Sequence, residues 1–268
     1  KKDLEQFCRY LLFQYEISDI SEATHPIIQS WMVQLLEENT SPRSINRKVS
    51  TLKSFFNYLL QKNVVSKNPT LKLARLKTPK SLPTFISEAE VLALFDEIEF
   101  PNTYEGIRDN LMLELFYAAG IRLSELVNLQ LSDIDIYSST IKVLGKRNKE
   151  RIIPISNLLK TKIEAYLIER DKLKSKEEGL FLTKVGKKIY PKLVYRVVKY
   201  YLRFVTTASK VSPHVLRHTF ATHMLNNGAD LNVIKEILGH SSLSATQIYT
   251  HNTIKKLKNI HQQAHPKA

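Results

Sequence analysis

A mainly helical chain is expected here, with an N-terminal helical domain followed by an α+β domain that carries a small three-stranded antiparallel sheet. Three observations lead to it. Apolar residues recur at three- and four-residue spacing through the first 61 positions. A basic stretch punctuated by Pro69, Pro79 and Pro83 then breaks that period over residues 66–84. Beyond it the helical period gives way once, over residues 134–155, to short β-branched runs, and afterwards returns.

In the first domain, Leu4, Phe7, Cys8, Leu11 and Leu12 make one stripe of a helix over Asp3–Phe13. The stripe starts almost at the first residue, Lys1, so the chain is expected to begin inside a helix with native sequence upstream. A second helix is expected over His25–Glu38, with Pro26 in its first turn and Ile28, Trp31, Met32 and Leu35 on one face. Ser41-Pro42 caps and opens a third. Its apolar stripe is Ile45, Val49, Leu52, Phe55, Phe56 and Leu59, and its polar face carries Arg43, Arg47, Lys48 and Lys53. The domain is read as residues 1–76 and the linker as 77–84, with Lys77 and Lys80 among its basic residues. This linker reads either as a solvated hinge or as one whose charges follow a phosphate backbone while two domains close on a duplex.

The second domain is read as residues 85–268. Ser87-Glu-Ala-Glu90 is a capping box opening a helix to Ile98. Arg108–Ala119 is a helix ended by Gly120, and Leu123–Leu129 a short one. Ile134–Ile136, Thr140–Leu144 and Arg151–Ile155 are the three strands, with Gly145–Glu150 turning between the last two. Helices are expected over Leu158–Lys172, Lys192–Ala208, Pro213–Asn226 and Leu231–Leu238. A terminal helix over Thr253–Gln263 bears Ile254, Leu257 and Ile260 on one stripe.

Composition limits the function. The chain has 268 residues, 43% of them hydrophobic, which excludes a chain that is disordered throughout. No apolar run approaches the ~20 residues that span a bilayer, no secretory leader is evident, and the single cysteine, Cys8, excludes an internal disulfide and a cysteine zinc site. A cytoplasmic location is expected. Forty Lys and Arg against 26 Asp and Glu leave a net charge of +14. The excess is spread along the chain, since residues 1–80 hold 13 basic and 7 acidic residues. A folded basic protein of this kind suits a polyanion, nucleic acid first; a soluble protein that is merely basic is the plain alternative.

Four clusters can carry chemistry. In Ser212–His223, His214 and Arg217 stand three apart at a helix N-terminus, where side chains, free amides and the helix dipole favour a phosphate. A metal reading of His214, His218 and His223 is weaker, because His223 lies about 140° round the helix from His218 and the metalloprotease carboxylate is missing. Helix packing is the plainer role for His218 and His223. The other clusters are Ala119–Glu125 with Arg122, the basic turn Gly145–Arg151, and Leu238-Gly-His240 followed by Ile248-Tyr-Thr-His251. Singly, each has an ordinary explanation: a solvated arginine, a hairpin tip, a half-buried tyrosine.

Together and in this order, the motifs Ala-Gly-Ile-Arg-Leu-Ser-Glu (119–125), Gly-Lys-Arg-Asn-Lys-Glu-Arg (145–151), His-Val-Leu-Arg-His (214–218), Leu-Gly-His (238–240) and Tyr249 resemble the tyrosine site-specific recombinases of the phage-integrase superfamily. Within them the resemblance runs to bacterial XerC/XerD recombinases, and the tail His261–Ala268 shares it. It covers residues 85–268, while residues 1–76 match the family's core-DNA-binding clamp domain in general character, without its first helix. The resemblance implies a catalytic set of Arg122, Lys146, His214, Arg217, His240 and the nucleophile Tyr249, with Glu125 in support. Lys146 is preferred to Lys149 because it follows Gly145. Arg43, Arg47, Lys48, Lys53, Lys77, Lys80, Arg147, Lys149 and Arg151 are candidate DNA contacts.

The implied reaction joins the Tyr249 oxygen to a DNA phosphorus and releases a 5′-hydroxyl. A partner strand's 5′-hydroxyl then reverses the step, so a Holliday junction forms without metal, ATP or other cofactor. Arg122 and Arg217 would hold the phosphoryl oxygens, Lys146 would protonate the leaving oxygen, His214 is the base candidate, and His240 would hydrogen-bond the phosphate. Implied partners are a double-stranded recombination site, a homo- or hetero-tetramer formed through the C-terminal helix, a second Xer recombinase and a septal DNA translocase, with chromosome-dimer resolution as the task. Docking of the terminal helix on its own domain is the alternative to docking on a neighbour. The rival functions are a transposon or phage integrase, a catalytically idle DNA-binding protein and a relaxing topoisomerase.

Overall fold

Phe7, Leu11, Ile28, Trp31, Leu35, Ile45, Leu52 and Phe56 are buried together and define the first of two cores. In the computed structural model the chain is described at residues 1–78, 85–145, 150–208, 211–239, 260–261 and 263–266. It divides into two compact units, Lys1–Leu82 and Pro83–Ala268. The first core belongs to three helices, α1 (Lys2–Tyr15), α2 (His25–Glu37) and α3 (Pro42–Gln61). α3 starts where a Ser-Pro pair would start it: the Ser41 hydroxyl accepts from the Ser44 amide, and Pro42 occupies the first turn. Past α3 the chain stays pinned to this unit. Asn68 takes the Thr70 amide and hydroxyl and donates to Asn57. Asn46 bonds both backbone groups of Leu76, and Leu73 and Leu76 pack on the core. Of the expected linker, residues 79–84 with Lys80 lie outside the described residues.

The second unit is built around α5 (Tyr104–Ala118), in which Leu111 through Ala118 are all buried. A stretch buried on all sides must be surrounded, with its buried Glu114 paired to Lys162; α7 (Asn157–Asp171) and α9 (Pro213–Asn226) pack on it, while α4 (Glu88–Asp96) packs on α8 (Pro191–Val205). Thr103 caps α5 through the Gly106 amide, so the helix starts four residues before Arg108, where the apolar run alone would start it. The capping box at Ser87–Glu90 is formed. α8 ends at Val205, three residues short of expectation, because Thr206 is extended. Strands β1 (Ile134–Asp135), β2 (Thr140–Leu144) and β3 (Glu150–Pro154) form an antiparallel sheet in sequence order. Ile141 pairs with Ile153 and Val143 with Arg151.

α6 (Leu123–Asn128) and α10 (Leu231–Leu238) are short helices whose ends, with α9, frame the site. Of the expected terminal helix, residues 253–259 lie outside the described residues. Residues 260–261 and 263–264 are helical and sit on their own unit: Ile260 packs against its core, His261 Nε2 lies 2.8 Å from the Ala118 carbonyl and His265 Nε2 3.2 Å from that of Tyr117. Among the described residues no helix is long and apolar enough to cross a membrane.

Candidate phosphate-binding site

The site begins at the C-terminus of α5. Gly120 adopts φ +55°, and a Cβ there would come within 2.6 Å of the Phe220 ring and 2.9 Å of Leu238. Only glycine allows both the left-handed turn and this approach of α9 and α10. The Gly120 carbonyl then accepts Arg217 Nη1 at 2.5 Å, and the Leu238 carbonyl accepts Nη2 at 2.6 Å. α9 thus holds Arg217 nearly buried, by a guanidinium fixed between two helix ends.

Two residues beyond Gly120, Arg122 is the N-cap of α6. Glu125, at the third helical position, takes the Arg122 amide at 2.7 Å and Arg122 Nη1 at 2.6 Å, while Arg122 Nη2 reaches the Gly239 carbonyl at 3.1 Å. Glu125 also receives Arg151 Nη1 and Nη2 at 2.9 and 2.8 Å, and Arg217 Nη1 stands 4.0 Å away. Three guanidiniums therefore surround one carboxylate and leave two positive charges in excess. Burial would raise the Glu125 carboxyl, but the hydrogen bonds and charges of Arg151 and then Arg122 outweigh it and hold it at about 2. Burial, then the charges of Arg122 and Arg151, pull Arg217 down to about 9. It remains cationic at neutral pH, and an incoming anion relieves that repulsion. Two of the five N–H donors of each of Arg122 and Arg217 are engaged in these bonds, so each keeps donors for an oxyanion. Arg122 is the more open, its side chain 28% exposed, on the wall of a cleft of about 610 Å³ that also includes Lys142, Lys188, Asp133 and Glu150.

The structure brings Arg122, Glu125 and Arg217 together. His214 lies one turn before Arg217 on α9, exposed where Arg217 is buried. Lys146, His240 and Tyr249, with Arg147 and Lys149, lie outside the described residues. His223 serves packing: its ring bonds Tyr117 Oη and the Ile86 carbonyl.

Two candidate DNA contacts are largely covered by the protein itself. Arg151 is not a surface cation, because its side chain is 4% exposed and given over to Glu125 and, through Nε at 2.7 Å, to the Ile237 carbonyl. Lys48 is 12% exposed, bonded to Gln6 and 3.5 Å from Asp3, because α1 packs along that side of α3. Arg47 is exposed but ion-paired with the same Asp3. Arg43, Lys53 and Lys77 are exposed.

One basic surface is not among the candidates that the sequence motifs supply. α8 exposes Lys192, Tyr195, Arg196, Lys199, Tyr200, Arg203 and Phe204 along one side. A signal for it exists in the sequence: residues 191–205 hold four cations and no acid, and Val194, Val198, Tyr201 and Leu202 make the buried stripe opposite.

Known proteins share both the sequence and this fold. The phage integrase family matches residues 84–256, and the phage integrase N-terminal SAM-like domain matches residues 1–63. Tyrosine recombinase XerC of Oceanobacillus iheyensis is 40% identical over 273 residues, covering 100% of this chain and 89% of that protein. Tyrosine recombinase XerD of Listeria monocytogenes is 36% identical over 272 residues, covering 100% and 91%. Among solved structures, the XerH site-specific recombinase in a post-cleavage complex with its palindromic difH substrate shares the fold, with a TM-score of 0.75 at 22% identity over 96% of this chain and 76% of that one.

Proposed function

The chain belongs to the phage integrase family of tyrosine recombinases, and we propose that it cuts and rejoins duplex DNA at a specific site through a 3′-phosphotyrosyl intermediate. The observation that carries this reading is the cluster of three guanidiniums around Glu125, which holds two uncompensated positive charges beside an open cleft. Its chemistry fits a phosphodiester. As the Tyr249 oxygen bonds to phosphorus, negative charge grows on the two non-bridging oxygens, and guanidiniums already fixed by their bonds to the protein can stabilise it with little reorganisation. The phosphorus–5′-oxygen bond breaks in the same displacement, and Lys146 gives the leaving oxygen its proton. A phenol has an ordinary pKa near 10, so its proton needs an acceptor, which we assign to His214; His240 is assigned a hydrogen bond to the phosphate. The covalent ester conserves the bond for rejoining.

We also assign duplex contacts to α8, whose exposed cations suit phosphates and whose exposed tyrosines suit base edges and sugars. The names of the relatives, XerC and XerD, favour resolution of chromosome dimers over integration of a mobile element. A tetramer on two sites, a second recombinase and a septal DNA translocase are the partners such a task needs.

Selection of bound duplexes from a random library identifies the site, and a nicked copy of it traps the intermediate. The wild-type protein is expected to form a covalent adduct on a denaturing gel. Tyr249→Phe is expected to bind the same duplex equally well and form none. Wild-type amounts of adduct from Tyr249→Phe overturn the assignment of the nucleophile, and absence of adduct from the wild type favours an idle DNA-binding protein.

A further inference from the structure

Arg151 reaches three separate parts of the catalytic unit. Its backbone belongs to β3, two of its N–H groups bond Glu125 on α6, and Nε bonds Ile237 in the last turn of α10. Each of the two segments it holds also holds one or both of the arginines assigned to the phosphate. Glu125 binds the amide and guanidinium of Arg122. The end of α10 binds Arg217 through the Leu238 carbonyl and Arg122 through that of Gly239. Gly239 is shaped to this contact: a Cβ there would stand 3.1 Å from Arg151 Cδ and 3.2 Å from Nη1, and its φ is +64°.

We propose that Arg151 is a positioning residue for strand cleavage, bracing Glu125 and the 237–239 turn, the two segments that hold the guanidiniums of Arg122 and Arg217 for one phosphate. The inference rests on the reading of this cluster as the phosphate clamp. A bidentate pair of bonds to one carboxylate and a third bond to a backbone carbonyl, all from one planar fork, explain why the residue is arginine, since a lysine ammonium at the same place keeps the charge but loses the fork. Arg151 never meets the DNA; it acts through groups that do.

The test uses the nicked duplex selected by the wild-type chain and follows the rate of covalent adduct formation at saturating protein. Arg151→Lys is expected to bind that duplex within about threefold of wild type and to form adduct about 10- to 100-fold more slowly, the size of effect that a misplacement of roughly an ångström produces. Because two of the three Arg151 bonds run to the Glu125 carboxylate, the double variant with Glu125→Gln should be less impaired than the product of the two single defects. A second substrate carries a methylphosphonate at the scissile position, so the clamp has no full negative charge to hold. There the Arg151→Lys defect should shrink to less than about threefold, a change that mere damage to the fold does not produce. Gly239→Ala, which crowds the same side chain without removing it, should repeat the pattern and carries the test if Arg151→Lys folds poorly. An equal defect on both substrates, full additivity with Glu125→Gln, or loss of duplex binding in step with cleavage overturns the proposal. Wild-type adduct with an undiminished Arg151→Lys rate overturns it alone, whereas a wild type that forms no adduct overturns the parent reading as well.

Discussion

Glu125 accepts from two arginines and faces a third, so its carboxylate is worth more folded than unfolded. The sign follows from the direction of its shift. The ordinary value is 4.5 and the folded one about 2, so the contribution is complete above about pH 4.5 and disappears as the pH falls towards 2. Its full size is about 3 kcal/mol. Urea unfolding of wild type and Glu125→Gln between pH 7 and pH 3 measures it: below pH 4.5 the wild type should lose roughly 1–2 kcal/mol more than the variant. Equal slopes would mean that the carboxyl is ordinary. Arg122 and Arg217 are legible from their motifs because each follows a recognisable helix boundary, Gly120 in one case and Ser212-Pro213 in the other. Arg151 is not. A basic residue at the end of a basic turn looks solvated, and its true partner lies 26 positions earlier on another element.

Among the elements, strand β2 is found at its expected ends and α9 and α10 between the expected caps, because pattern and punctuation agree there. α5 is longer than its apolar run, since a cap at Thr103 outranks hydrophobicity at a helix start. Lys48 on α3 shows a different limit. The polar face of an isolated helix is read as solvent, yet Asp3 and Gln6 of α1 meet it. α8 yields the prediction proper to an element. Replacing Lys192, Arg196 and Arg203 with alanine should weaken duplex binding and make it less sensitive to salt. The slope of log K against log [salt] should fall by about one for each phosphate that is no longer neutralised. Titrations at several salt concentrations measure this, and an unchanged slope would remove α8 from the DNA surface.

For the molecule as a whole, the docked tail contributes to the stability of its own unit. His261 and His265 stack at 4.8 Å and point Nε2 at the last carbonyls of α5, which a helix C-terminus leaves unpaired. Burial pushes His261 below the ordinary histidine value, which keeps the ring neutral. A chain ending at residue 259 should therefore melt lower even as a dilute monomer. Removing two hydrogen bonds costs about 2 kcal/mol, or roughly 4–8 °C for a unit of this size. Calorimetry checks it. An unchanged melting temperature would mean that the tail has no stabilising role on its own unit.

Local order in this chain comes from signals that act within a few residues: helix period, proline and glycine punctuation, capping serines and threonines, and a run of β-branched positions. Those are enough for the helical character, the small sheet and the motifs that point to phosphate chemistry. The charge environment of the site is not readable in the same way. Whether a given cation ends as a ligand for DNA or as the buried partner of Glu125 depends on which helix ends meet in space. The 120–125 segment, Arg151, Arg217 and Gly239 are far apart in sequence, and only close packing of α5, α6, α9, α10 and β3 brings Gly120, Glu125 and these residues into one cluster.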